Sequence, residues 1–319
     1  MKRYVFKRVV QAIPMLITIS MISFLIMNLA PGDPSNAFVT PRMNKIQRAE
    51  TRERLGFNKP ITVRYVRWLK NIIKGDFGYS FISHQPISEE IAARVPVTLG
   101  LMGITMFISI IISIPLGMLC AFRRNKLFDN IVTAVCYVGI SIPEFWFAMM
   151  LIVLFSVKLS ILPSIGMRAI GIETNIDLIR HSIMPCMVLS FPNIAVLTRY
   201  VRSSAISQLK EDYVITAISK GASRNRILFS HVLKNSMIPF VTILGMSLPE
   251  LISGSFITES IFGWPGMGRF GVTSVFNRDY PAIMAITMIT SILLILGNLI
   301  SDILYTTLDP RIKVVDRHE

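Results

Sequence analysis

Glu144 and Glu250 each stand alone inside a long run of apolar residues. A carboxylate placed in hydrocarbon costs about 2.5–3.5 kcal/mol, so both are expected to face protein or water. Two uses fit them: a site for a cation such as an amino group, and a hydrogen bond between helices. Either use demands helices that bring other polar groups to them.

Other chemical patterns are weaker. Gly266, Gly268 and Gly271 match G-x-G-x-x-G. The nucleotide reading of that pattern needs a preceding strand and a βαβ unit. None is expected here, and tight turns around Pro265 account for the glycines. No G-x-x-x-x-G-K-[ST] run occurs, so any ATP hydrolysis is expected on another chain. His84, His181, His231 and His318 are scattered and form no H-E-x-x-H. Ser207 and Lys210 match S-x-x-K, a pattern loose enough to arise by chance. Cys120, Cys136 and Cys186 fall in or beside apolar runs and form no C-x-x-C, so they read as small apolar fillers. No catalytic residue, metal or cofactor is expected.

The chain has 319 residues, of which 52% are hydrophobic and 16% charged. A soluble domain carries about a quarter charged residues, so lipid is expected to solvate part of this one. The formal net charge is +14. A basic excess suits nucleic acid, an anionic membrane surface or an acidic partner, and the long apolar runs that separate the basic residues argue against nucleic acid.

A bilayer core of about 30 Å takes about 20 apolar residues as a helix. Six runs meet or approach that length: 9–30, 95–122, 130–157, 181–198, 236–258 and 280–305. The expected fold is therefore an all-α polytopic membrane protein with six transmembrane helices. The first run has a basic start and an apolar part longer than a normal signal peptide, and Pro31 stands where a cleavage site would lie. It reads as an uncleaved anchor, with a signal peptide as the alternative.

Lys and Arg set the orientation. With residues 1–8 in the cytoplasm, the inner segments hold seventeen basic residues and the two short outer loops hold five. The segment 31–94 holds eleven, but long loops cross largely regardless of charge. Both termini, including 306–319, are thus expected in the cytoplasm, and 31–94 outside.

Within 31–94, Val63, Val66, Leu69 and Ile73 recur at helical spacing with Arg64, Arg67 and Lys70 between them. This predicts an amphipathic helix with Tyr65 and Trp68 suited to a membrane interface. Ser88–Val95 predicts a short helix leading into the second span. The segment reads as a packed cap, being too short to bury a large core of its own. Prolines 14, 115, 143, 185, 192, 239 and 249 lie within spans. They fit ordinary membrane-helix composition or a bundle bent around a pathway.

Residues 199–235 are polar enough to leave the membrane, yet patterned. Ile206, Leu209, Tyr213 and Ala217 fall near one face of a single expected helix ending at Lys220. Gly221 suits the left-handed turn that closes a helix. Ser223 suits the cap of the next, from about Arg224. Such a helix–turn–helix either links two spans or docks into a partner.

The stretch TAISKGASRNRILFSHVLKNSMIP resembles the EAA loop of binding-protein-dependent ABC importer permeases, closest to the peptide and nickel branch. RVVQAIPMLITISMISFLIMNLAPGDP, GDFGYSF, SIPEFW and ESIFGWPGMGRF resemble its B-type subunits in the expected order. The resemblance implies a type I-like permease architecture in the bacterial inner membrane. It implies a C-type permease subunit forming a heterodimer, two cytoplasmic ATPases and an extracytoplasmic substrate-binding protein. It also implies oligopeptides or dipeptides as cargo, with nickel or another small solute as the alternative. An ATPase-independent channel or secondary transporter is the alternative of another class. Gly221 matches the motif's glycine and Ala217 its second alanine. The motif's Glu and first Ala fall on Ile215 and Thr216, a departure from the general pattern. Tyr213, Ala217, Ile218, Gly221 and Arg224 are then the expected ATPase-coupling residues, with Glu144 and Glu250 as candidates along the pathway.

Overall fold

The computed structural model describes residues 2–29, 58–223, 226–247, 251 and 253–308, with 44, 46, 47 and 53 besides. Among these residues the regular structure is helical. Their only β pairing is an isolated antiparallel bridge between Tyr79 and Pro86. The cause is the solvent: lipid offers the backbone no partners, so amides and carbonyls pair within each segment.

The helices in order are α1 (Lys2–Leu29), α2 (Ile61–Ile73), α3 (Ile87–Phe122), α4 (Leu127–Ser141) and α5 (Glu144–Leu151). α5 runs on as a π-helical stretch, Ile152–Lys158. Then come α6 (Asn175–Gln208) and α7 (Asp212–Ser219). A second π-helical stretch, Ile227–Val232, leads into α8 (Leu233–Met246). α9 (Phe256–Ile261), α10 (Met267–Phe276) and α11 (Tyr280–Leu308) complete the described helices.

Among the described residues four helices, α1, α3, α6 and α11, are long and apolar enough to cross a membrane. The α4–α5 pair makes a fifth if its halves count as one span. The expected span 236–258 includes 248–250 and 252, which lie outside the described residues, so the expectation of six is met only to this extent.

Four boundaries differ from the sequence reading. The run 130–157 is not one straight helix: its halves meet at 102°. Pro143 explains the break, because Ile142 takes the extended backbone (ψ 124°) that a residue before proline prefers. The short helix expected at Ser88–Val95 is the first part of α3, which passes through Pro96 and Pro115 without a break. At 36 residues α3 is about 54 Å long, far more than the bilayer core needs. Likewise α6 continues ten residues past the expected boundary at Thr198, and the single helix expected over 206–219 is two helices that part at 209–211.

α3 and α6 form the central pair of the bundle. They approach closely because Gly117 has no side chain: a Cβ there would stand 2.6 Å from Val201 Cβ and 2.8 Å from the Thr198 carbonyl oxygen. Small residues are the usual means by which membrane helices come together. Near this contact Met118, Ala121, Leu197, Val201 and Ala205 form the largest buried apolar cluster with residues from α7 and α8. α1 packs chiefly on α11, and most of its described side chains face outward.

At the α2 end, no residue of α2 is buried. The helix is held to α1 by Tyr65 and Trp68, whose rings lie 5.4 and 5.7 Å from the Phe24 ring. The Tyr65 hydroxyl also meets Ser20 Oγ at 2.7 Å. Beyond it, Asp279 is buried at the start of α11 and accepts from Ser80 Oγ (2.5 Å) and the Phe81 amide (3.1 Å). One carboxylate thereby ties the 79–86 turn to the last helix.

Gly117→Val is expected to cost about 1–3 kcal/mol by overpacking the α3–α6 contact. Gly103→Ala, with nothing within 4 Å of the added carbon, is expected to leave stability unchanged. Thermal unfolding of the two variants in detergent distinguishes the positions.

Candidate functional site

The α7 end of the bundle carries the segment that the sequence singled out. α7 has an inward and an outward face. Val214 and Ala217 are buried in the cluster with Val201, Ala205, Ile227 and Val232. Ile215 and Ile218 are 57% and 59% exposed. Tyr213 is half-buried, and its hydroxyl donates to Gln208 Oε1 (2.8 Å) across the α6–α7 bend. Of the expected coupling residues, therefore, Ile218 is presented, Tyr213 braces the bend and Ala217 packs inward. Arg224 lies outside the described residues. Ile215, which the sequence reading marked only as a departure, shares the exposed face with Ile218.

The turn that closes α7 has the expected geometry. Gly221 has φ +76°, and no atom lies within 4 Å of where its Cβ would be. Its amide donates to the Ile218 carbonyl (2.9 Å), and the Ala222 amide donates to the Ala217 carbonyl (3.1 Å). These two bonds form a Schellman motif, satisfying carbonyls the helix leaves open. Ser223 then starts the next helical stretch: its carbonyl accepts from the Ile227 amide (3.0 Å) and its hydroxyl from the Arg226 amide (3.4 Å).

An ion pair with a buried carboxylate fastens this platform to α4. Arg202 Nε and Nη2 donate to the two oxygens of Asp129 at 2.5 and 2.7 Å. The same carboxylate accepts from the Asn125 amide at 2.9 Å. Asp129 is buried, and fork-to-fork pairing of this kind fixes orientation as well as charge. The Arg199 guanidinium lies 4.6 Å from the centre of the Tyr137 ring, a second contact between α6 and α4. These cations are what hydropathy took for the end of a span.

Glu144 stands in the first turn of α5, half-buried. Its Oε1 accepts from Ser255 Oγ at 2.6 Å and from Thr258 Oγ1. Ser255 also caps α9 by accepting from the Thr258 amide (3.1 Å). Of the two uses open to this carboxylate, the interhelical hydrogen bond is realised. Glu250 lies outside the described residues.

A third carboxylate escaped the sequence reading. Glu259 is fully buried and accepts from Thr98 Oγ1 (3.0 Å) and the Arg269 amide (3.1 Å). Thr98 in turn accepts from the Met267 amide (2.8 Å). The acid thus caps the N-terminus of α10, where negative charge is favoured, and joins it to α3. The glycine pattern was the available signal. Gly268 and Gly271 lie inside α10, not in turns, and Gly266 caps it. A Cβ at Gly268 would stand 2.6 Å from the Ser255 carbonyl oxygen, and one at Gly271 would stand 2.7 Å from the Phe256 ring. At Gly266 it would strike Glu259 and Thr98. The three glycines let α10 close on α9 and its carboxylate.

Two family patterns cover most of the chain. The inner membrane component of binding-protein-dependent transport systems matches residues 113–314, and the N-terminal part of such membrane components matches 1–102. The oligopeptide transport system permease protein AppB of Bacillus subtilis is 44% identical over 98% of this chain and 100% of its own length. The glutathione transport system permease protein GsiC of Salmonella paratyphi A is 37% identical over 98% of this chain and 99% of its own. Among solved structures, the methionine ABC transporter MetNI, in an inward-facing conformation, aligns with a TM-score of 0.54. That match covers 69% of this chain and 96% of the other at 17% identity, which bears on the fold.

Arg202→Gln is expected to lower stability by about 3 kcal/mol because it leaves the buried Asp129 carboxylate unpaired, and Asp129→Asn by less because Arg202 is partly exposed. The double variant is expected to lose less than their sum. A double-mutant cycle on thermal unfolding in detergent checks the coupling.

Proposed function

The chain belongs to the inner membrane components of binding-protein-dependent transport systems, and we propose that it forms half of an oligopeptide import pathway driven through α7. As the permease component of such a system it carries no ATPase; hydrolysis falls to separate subunits. The pathway's other half is a C-type permease subunit. Two cytoplasmic ATPases and an extracytoplasmic substrate-binding protein complete the assembly. The oligopeptide name of the Bacillus relative supports peptides as cargo.

The observation that carries the proposal is the division of α7 into two faces. Ile215 and Ile218 project outward as an apolar pair one helical turn apart. An apolar helix face laid in a partner's groove is a common mode of recognition. The opposite face, Val214 and Ala217, is packed into the same cluster as Met118 of α3, Leu197 of α6 and Phe240 of α8. A displacement of α7 is thereby passed to three helices through close-packed side chains. The Asp129–Arg202 pair extends the linkage to α4.

In this reading α7 and both termini lie in the cytoplasm, and residues 31–94 lie outside. The excess of Lys and Arg on the inner segments supports that orientation. Switching the pathway between faces then amounts to rocking of the bundle against the second permease subunit.

Glu144 acts as a tie between α5 and α9. Glu144→Gln keeps an amide oxygen for both hydroxyls and is expected to retain transport. Glu144→Leu removes the acceptor and is expected to lose it. Transport measured with peptides of different charge checks this, and a Glu144→Gln defect confined to cationic peptides would assign the residue to the cargo instead.

For α7, Ile218→Asp is expected to reduce the ATPase that co-purifies with the chain. Gly221→Val is expected to strain the turn by about 1–2 kcal/mol and uncouple ATP hydrolysis from transport, whereas Gly221→Asn is tolerated. Because the space around Gly221 is open, any loss comes from the backbone and not from a clash. Normal transport and normal ATPase recovery in both Ile218→Asp and Gly221→Val would refute the coupling role.

A further inference from the structure

α2 is basic and amphipathic: it carries Arg64, Arg67 and Lys70, is followed by Lys74, and contains no acid. Its position along α1 is fixed by side-chain contacts. Phe24 and Ser20, which meet Trp68 and Tyr65, lie five and nine residues before Leu29, or about 8 and 14 Å down the helix. α2 therefore packs alongside the last half of the α1 span rather than beyond its end. Ile61, Val66 and Ile73 are exposed on it, as suits a helix in contact with acyl chains.

Between α1, α2 and the start of α11 lies a groove of about 490 Å³. Phe24, Met27, Tyr280 and Met284 are among its apolar walls, and Lys59 and Arg67 stand exposed at its rim. Among the described lining residues Asp76 is the sole acid, against the exposed Lys59 and Arg67. An apolar slot in the leaflet, rimmed by cations, matches an anionic amphiphile: acyl chain inward, phosphate outward.

We infer that this groove is a binding site for an anionic phospholipid of the leaflet at the α2 end. The headgroup phosphate sits between Lys59 and Arg67, and one acyl chain enters between Phe24 and Met284. The bound lipid covers apolar wall that α1 and α11 leave open, and it pins α2 to the bundle. The site stands apart from α7, and its lipid is independent of the cargo the pathway carries.

The test uses the full chain, purified with its partner subunits and placed in nanodiscs of phosphatidylcholine doped with phosphatidylglycerol. Lipid retained after detergent washing is counted by mass spectrometry. Retention of phosphatidylglycerol over phosphatidylcholine is expected. Lys59→Gln and Arg67→Gln are each expected to lower phosphatidylglycerol retention about fivefold, and Arg67→Lys to preserve it. Met284→Trp, which fills the slot and keeps every charge, is expected to lower it as well. Equal retention of the two lipids would overturn the inference, as would unchanged retention in the Lys59→Gln/Arg67→Gln double variant. So would loss of binding-protein-stimulated ATP hydrolysis in that variant with phosphatidylglycerol retention intact, which would make the groove a protein-docking surface.

Discussion

A helix in hydrocarbon can stop or bend only where something replaces the backbone partners it gives up. That constraint decides where this chain turns. At 142–143 the proline has no amide to lose. After α7 the Schellman bonds to Ile218 and Ala217 close the helix end. Before α9 the Ser255 hydroxyl takes the Thr258 amide, and before α10 the Glu259 carboxylate takes the Arg269 amide. Each break is a place where polar groups had to be supplied. The breaks are accordingly where the chain's carboxylates and hydroxyls gather.

The buried acids share one pattern. Asp129, Glu259 and Asp279 each accept from a backbone amide and from a side chain on another segment. For Asp129 and Glu259 the amide fixes the acid locally, and the side chain, Arg202 or Thr98, carries that order to a distant element. For Asp279 the Phe81 amide and the Ser80 hydroxyl both come from the distant 79–86 turn. Such groups would be costly if left unpaired, so each ties its two elements firmly. Glu144, with two hydroxyl donors from the α9 segment, plays the same part for α5.

The helices themselves were legible because lipid selects long apolar runs, and Gly221 was legible because few residues accept its backbone angle. The end of α6 was not legible. Arg199 and Arg202 lower the hydropathy there, yet both are absorbed by Tyr137 and Asp129 on a neighbouring helix. The inward face of α7 was legible. Ala217 is buried in the cluster that Ile206, Leu209 and Tyr213 pack against, as their shared spacing predicts. This holds even though two helices meeting at 209–211 carry them, while Ile215 and Ile218 face outward. Glu259 was unreadable because its partner Thr98 stands 161 positions away.

The pairing of α1 with α11 brings the first helix of the chain against the last. The two are about 250 residues apart in the chain, so their contact closes a very long loop, whereas α3 and α6 meet across a much shorter one. The seam between α1 and α11 is therefore the contact whose formation costs the most chain entropy.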